Sequence, residues 1–348
     1  MNRKNTSNLY EKVVSLDNID SAIDEASRTK KNHRVVKNVY KMRNQVCKDI
    51  SSNFHITGKY HVKERADVSS GKIRTLTIPP FYPDQIVQHA LTRVCEPFII
   101  RRLMPECCCS IKGRGTLYAS MLVRKAIRSG DRYFVKFDIH HYFQSIDHQV
   151  MIGLLGKVFK DRRIIASYTE IINSVAEGIP IGNYTSQSLA NLYLTPLDRY
   201  IKETLKAPHY VRYMDDFIIM GTSKRKLEAM IDPIKKFIHK KLNLSTHDSE
   251  KTIRIAYKGK GSPIDFCGYR HYSDHITIRK RVWKRLRRAL MREEKNKSQR
   301  RAKRIACYLG YLRHSNSRDI LKRFGKTISV CLSILRKKGG ETVYETAA

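Results

Sequence analysis

The stretch HYVRYMDDFIIMG, residues 209 to 221, decides the reading of this chain: two apolar, β-favouring runs meet at a pair of acids. That pattern is a hairpin with its charges at the tip. Adjacent carboxylates in an apolar setting are costly to desolvate unless something cationic meets them, and a divalent metal is the simplest partner. Asp-Asp pairs are also ordinary turn residues and helix caps, so the pair alone does not specify chemistry. It is accompanied by YFVKFDIHHYF, residues 133 to 143, where a mostly apolar strand ends on Asp138, 77 positions before Asp215. An acid in that place is conspicuous. Three acids brought together suffice for two Mg²⁺ ions, because Mg²⁺ takes one or two carboxylates and completes its shell with water and substrate phosphate. Two such ions about 3.5–4 Å apart can stabilise both the attacking and the leaving oxygen of a phosphoryl transfer.

Charge points the same way. The 348 residues carry 68 Lys+Arg against 32 Asp+Glu, a formal net charge of +36. Self-repulsion on that scale calls for a polyanionic partner, nucleic acid first, with an anionic membrane surface or a plain solubility surface as alternatives. Membrane insertion is not expected, since there is no run of about 18 apolar residues, and MNRKNTSNLYEK at the N-terminus lacks the apolar core of a signal peptide. The eight cysteines form no CxxC pair, which argues against zinc. The Cys107–Cys109 triplet reads as small, buried, reduced side chains in a reducing cytoplasm.

Outward from the acids, KIRTLTIPP (72–80) is a short strand opening after the turn residues Ser69, Ser70 and Gly71, and QIVQHALTRVCEPFII (85–100) a helix. Ser145 and Asp147 are candidate N-caps. GIPIGNYTSQ (178–187) is a loop leading into a helical apolar face that Pro196 should kink or interrupt. Residues 279 to 304 hold 14 Lys+Arg and 2 Glu with apolar residues at helical spacing, which predicts one basic amphipathic helix.

Together these segments resemble the reverse transcriptases, whose YxDD hairpin and upstream strand-end aspartate form the active site. Seven blocks stand in family order: KIRTLTIPP with QIVQHAL, CCSIKGRGTLYA, FVKFDIHHYFQSID, GIPIGNYTSQ, RYMDDFIIM, LNLSTHDSEKT and IDFCGYR. The resemblance implies an α/β (α+β) right-hand polymerase. Fingers would occupy 1–137, a palm with an antiparallel sheet and helices 138–275 with a fingers insertion near 150–188, and a basic helical thumb 276–348. It implies that Asp138, Asp215 and Asp216 are the catalytic, metal-binding carboxylates, with the Ile139 carbonyl as a further ligand and Mn²⁺ as a possible substitute for Mg²⁺. Arg74 would contact the incoming dNTP, and Lys251 would act on or bind pyrophosphate. Phe143 would exclude a 2′-hydroxyl, its plainer reading being core packing. Lys280, Arg281, Lys284, Arg285 and Arg288 would track the RNA·cDNA duplex, unless they form only a solvated cationic face.

The fourth block departs from the commonest pattern: Ile181-Gly182 replaces Gln-Gly, and Ser186-Gln187 replaces Ser-Pro. This form resembles the reverse transcriptases of diversity-generating retroelements, in the group II intron-like superfamily, which copy a template-repeat RNA and misincorporate opposite its adenines. Replacing an amide beside the nascent pair by Ile181 removes a polar restraint, or is only a packing change. Gly182 and Gln187 would flank the same nucleotide. The resemblance further implies a bacterial or phage-encoded cytoplasmic enzyme with a small, basic, pentameric accessory protein. A retron or phage-defence reverse transcriptase is the alternative, an intron enzyme being disfavoured because a maturase domain needs more chain after the thumb. A non-catalytic RNA-binding scaffold is the reading from a different class.

Overall fold

The computed structural model describes residues 8–66, 73–247, 250–296 and 298–336, so the turn expected at Ser69–Gly71 lies outside the described residues. The N-terminal part is helical, with α1 (Leu9–Val13), α2 (Leu16–Ser27), α3 (Arg34–Lys41) and α4 (Arg43–Ser52) preceding a two-stranded hairpin of β1 (His61–Ala66) and β2 (Ile73–Ile78). Pro79 and Pro80 end β2, and a turn leads into α5 (Ile86–Ile100), as its apolar periodicity predicts. Fully buried Asp84 fixes the base of the hairpin, its carboxylate accepting from Thr57 N at 2.8 Å and Gly58 N at 3.2 Å.

After α6 (Thr116–Arg128) the chain enters β3 (Tyr133–Asp138), the centre of the main sheet. Helices α7 (His148–Val158), α8 (Arg162–Ile172), α9 (Ser186–Tyr193) and α10 (Thr195–Arg199) follow, then the hairpin of β4 (His209–Tyr213) and β5 (Asp216–Gly221), α11 (Lys224–Leu242) and β6 (Ile253–Arg254). The sheet order is β4-β5-β3-β6, all neighbours antiparallel. Its two faces are both covered low in the sheet. Val135, Phe137, Phe217 and Ile219 join the largest core, while Phe134, Ile218 and Met220 pack with α6 residues Ala119, Val123 and Ala126. Pro196 acts as a boundary, in the first turn of α10. Asp147 caps α7, accepting from Val150 N at 2.9 Å. Ser145 does not, since its hydroxyl turns back to the His141 carbonyl.

A second, three-stranded sheet of β7 (Ile264–Phe266), β8 (Tyr269–His271) and β9 (Ile276–Ile278) leads to α12 (Lys280–Lys295), α13 (Gln299–Arg313) and α14 (Arg318–Arg336). Tyr269, Ile276 and Ile278 share one core with Leu286, Leu290 and Ile305, so this packing unit begins within β8. The single basic helix expected over 279–304 is two helices. Asn296 and Ser298 are extended, and the Glu293 carboxylate takes both Ser298 N and Arg301 Nη1 at 3.0 Å, which closes the corner between them. All eight cysteines are free, and Cys107–Cys109 are buried. No described helix is long and apolar enough to cross a membrane.

Arg212 governs how the β4–β5 tip is held. It is fully buried and bonds fully buried Asp198 of α10 through Nε and Nη2, both at 2.7 Å. Its Nη1 donates to the Met214 carbonyl at 3.1 Å and Nη2 to the Asn191 carbonyl of α9 at 3.3 Å. Burial opposes the charge, yet Asp198 beside it more than offsets this and holds the guanidinium well above its ordinary pKa. The backbone of Arg212 meanwhile pairs with Glu106 and Cys108, so the small cysteine side chains line the outer edge of β4. Removing one partner of such a pair strands the other charge. Asp198→Asn should therefore lower the unfolding free energy by about 3–5 kcal/mol in denaturant melts, and a loss under about 1 kcal/mol would show that the pair does not hold this hairpin.

Candidate active site

Asp138 and Asp216 are directly opposed in the β3–β5 register, so their side chains leave the same face of the sheet. Opposed Cα atoms lie about 4.5–5.5 Å apart and successive ones 3.8 Å, which bounds the Asp138–Asp215 Cα separation at about 9 Å. The register thus brings Asp138, Asp215 and Asp216 to one end of the sheet. Met214 makes the bend between Tyr213 and Asp216 with φ 61, a left-handed conformation that a non-glycine side chain resists. Its carbonyl is the one Arg212 grips, so the buried guanidinium stabilises the bend that presents Asp215.

The three carboxylates have unequal surroundings. Asp138 is half exposed, with His247 Nε2 3.9 Å from Oδ2. Burial raises the Asp215 carboxyl above its ordinary pKa, and Asp138's charge adds to the rise, while Arg74 and Arg212 oppose it. Asp216 is pushed up to about 6 by burial, with Asp138 and Asp215 adding and Lys136 opposing. Its Oδ2 meets Lys136 Nζ at 2.9 Å, and its Oδ1 is buried without a hydrogen-bond partner. Lys136 is two residues before Asp138 on the same strand face, a partner the sequence reading missed.

An orphaned buried oxygen, two carboxyls raised by burial and mutual repulsion, and a third open to solvent fit a divalent cation. The acids are not a closed cage: among the described residues no three His, Cys, Asp or Glu side chains stand at ligand spacing. A cation here would be completed by water and substrate phosphates, as suits Mg²⁺. Asp138 O and His140 N bond His247 and Ser245, so backbone alternation turns the Ile139 carbonyl to the opposite side, toward Asp215.

Other expected residues stand on β2, just after β3, in the loop leading into α9 or its first turn, and just before β6. Arg74 stands exposed on β2, and its charge is felt at Asp215. Phe143 is partly buried against the main core, and its carbonyl accepts from Ile179 N at 2.8 Å. Gly178, at φ +69, lies so close that a Cβ would sit 2.2 Å from that carbonyl, so only glycine fits. Ile181 is partly buried, Gly182 is exposed at φ +114, and Gln187 is exposed in the first turn of α9. Lys251 is exposed just before β6, and continuing the Phe134–Ile253 register sets it level with Lys136.

The basic residues of α12 divide. Arg285 and Arg288 line a cleft of about 400 Å³ with Arg292, Arg301, Arg304 and Ala66 of the β1–β2 tip. Lys280, Arg281 and Lys284 are outside that lining, Lys280, Arg281 and Lys284 all being exposed. Five guanidiniums around one cleft bring together planar, charged donors of the kind that suits phosphates.

Residues 62–312 match the family described as reverse transcriptase (RNA-dependent DNA polymerase). The chain belongs to the reverse transcriptase family. Group II intron-encoded protein LtrA of Lactococcus lactis subsp. cremoris is 25% identical over 276 residues, covering 59% of this chain and 45% of that protein. Protein YkfC of Escherichia coli (strain K12) is 23% identical over 215 residues, covering 47% of this chain and 54% of that one. The chain thus spans about half the length of the curated relatives it matches. Telomerase from Candida tropicalis, solved with a fragment of telomeric RNA, superposes with a TM-score of 0.50 at 11% identity, over 88% of this chain and 60% of that one. That likeness is one of fold, and it identifies the antiparallel sheet and helices of this reverse transcriptase as a right-hand polymerase fold. Members of the family generally use divalent metal ions.

The raised Asp216 carboxyl has a consequence for stability. Ionising near 3.8 when unfolded and near 6 when folded, it contributes stability below pH 3.8 that is lost as the pH rises through 6. A cation relieves that loss only where the carboxyl is ionised. Mg²⁺ should therefore raise the melting temperature more at pH 7.5 than at pH 5, and an increment independent of pH would count against a metal at Asp216.

Proposed function

We propose that the chain is an RNA-directed DNA polymerase that uses two Mg²⁺ ions, with Mn²⁺ as a substitute, to extend a primer on an RNA template with dNTPs. The observation that carries this is the register that sets Asp138 opposite Asp216, beside a bend holding Asp215. Asp138 and Asp215 would bind both ions, with the Ile139 carbonyl; Asp216, shared with Lys136, would support them. Ions held there would supply Lewis-acid stabilisation of the negative charge on the attacking 3′-oxygen and on the departing pyrophosphate. Arg74, on β2 and with its charge felt at Asp215, binds the triphosphate, for which a planar guanidinium is suited. Phe143 would exclude a 2′-hydroxyl, and Lys251 would act on or bind pyrophosphate. Fingers are assigned to the segments before β3 and around α7–α8, the palm to the β4-β5-β3-β6 sheet, and the thumb from β8 onward, with the α12 and α13 guanidiniums on the duplex backbone.

Within the family, the Ile181-Gly182 and Ser186-Gln187 form supports a diversity-generating retroelement enzyme that copies a template-repeat RNA with errors at adenines. A small, basic, pentameric accessory protein belongs to the same proposal. Purified enzyme with Mg²⁺ should extend a primer on RNA, and Asp215→Ala with Asp216→Ala should reduce the rate by at least about 10³-fold; equal extension by the double variant would remove the mechanism. Sequenced cDNA should carry errors concentrated opposite template adenines, and Ile181→Gln should reduce them. A flat error spectrum would reject the subgroup while leaving the polymerase standing.

A further inference from the structure

The loop that carries Ile181 and Gly182 is fastened on two sides. On one, α5 holds it: fully buried Gln88 accepts from Tyr184 N at 3.0 Å, and the Tyr184 ring stacks on His89 at 3.8 Å. On the other, the β1–β2 hairpin holds it. Thr77 of β2 donates twice to the Ile181 carbonyl, from its backbone N at 2.7 Å and from Oγ1 at 3.1 Å. Asn183 Nδ2 adds a bond to Tyr60 OH at 3.0 Å, just before β1. Gly182 completes the contact, because a Cβ there would stand 3.1 Å from the Thr77 carbonyl oxygen.

Thr77 is three residues from Arg74 on the same short strand, and it pairs with Val62 on its inner side. Its outward N–H and hydroxyl therefore fix β2 against the loop, and so fix the Arg74 guanidinium relative to Ile181. Resting on the proposed function, we infer that Thr77 is a positioning residue for the incoming nucleotide. Its doubly donated clasp on the Ile181 carbonyl sets the distance between the group that binds the triphosphate and the side chain beside the nascent base pair. The palm carboxylates stand on a different sheet, and Thr77 bears on them only through the charge of Arg74. The clasp thus acts first on nucleotide binding and selection, ahead of the chemical step.

A threonine hydroxyl is expected to be replaceable only by another hydroxyl if the bond is what counts, whereas a packing role would be met by any residue of the same shape. Steady-state extension on an RNA template, at saturating Mg²⁺ and primer, separates the two. Thr77→Val keeps the shape and loses one donor, so the dNTP KM should rise about 3- to 10-fold with kcat within about twofold of the parent. Thr77→Ser should restore the parent KM. Tyr60→Phe, which removes the Asn183–Tyr60 bond between the same loop and hairpin, should show a KM-weighted defect of the same kind and provides a second variant should Thr77→Val fold poorly. A parent-like KM for Thr77→Val, or a Thr77→Ser enzyme as impaired as Thr77→Val, overturns the clasp while leaving the polymerase reading intact. A parent enzyme that extends no primer overturns that reading, and the clasp falls with it.

Discussion

The buried Arg212–Asp198 pair is the constraint on which the rest of the site depends. A guanidinium with no exposure is tolerable only if its donors are satisfied, and here they go to Asp198, Asn191 and the Met214 carbonyl. Each partner belongs to a different structural piece, since Asn191 is on α9, Asp198 on α10 and Met214 at the hairpin bend. Satisfying one side chain therefore fixes three elements at once. The strained φ of Met214 persists because its carbonyl is held from below, and the acid that follows is thereby aimed out of the sheet.

Above that anchor, like charges are brought together against their own repulsion. Asp138, Asp215 and Asp216 each raise or are raised by a neighbour, and Lys136 meets the group directly. Lys136 touches one oxygen of Asp216 and leaves the other buried and unbonded. A lysine is a point charge on a flexible stem, able to neutralise one carboxylate without closing the site. The arrangement keeps the acids folded together while leaving Asp138 open toward solvent, where substrate would arrive.

What was legible in the sequence follows from which signals survive without a partner. The β4–β5 hairpin and Asp138 could be read because period-2 apolar runs interrupted by acids break the ordinary burial pattern. Strand β1, HVKERA, could not, because every residue in it is exposed and only pairing with β2 makes it a strand. The corner between α12 and α13 was hidden because the positive charge runs through it unbroken; Glu293, one of two acids in that stretch, makes the turn. Lys136 and Arg212 were lost among 68 basic residues. Arg212 was the more findable of the two, since a charge inside an apolar strand demands a buried partner, and Asp198 in an otherwise apolar helical face was available.

The distribution of charge also bears on how affinity and selectivity are divided in this chain. Guanidiniums of α12 and α13 stand around one cleft, and under the proposed function they would meet phosphates regardless of base, so that grip on template and product would be set by backbone charge and by salt. Under the same proposal, selection of the nucleotide would rest on a much smaller set of contacts: Arg74 on a two-stranded hairpin, the partly buried Ile181, and the loop that carries it. An apolar side chain offers no hydrogen bond whose loss would penalise a wrong pair, and a missing or extra contact in an apolar pocket discriminates by only about 1–3 kcal/mol. On the proposed function, a polymerase built this way would hold its template firmly and judge each pair weakly, because the two tasks would fall to different residues and the stronger interactions to the first.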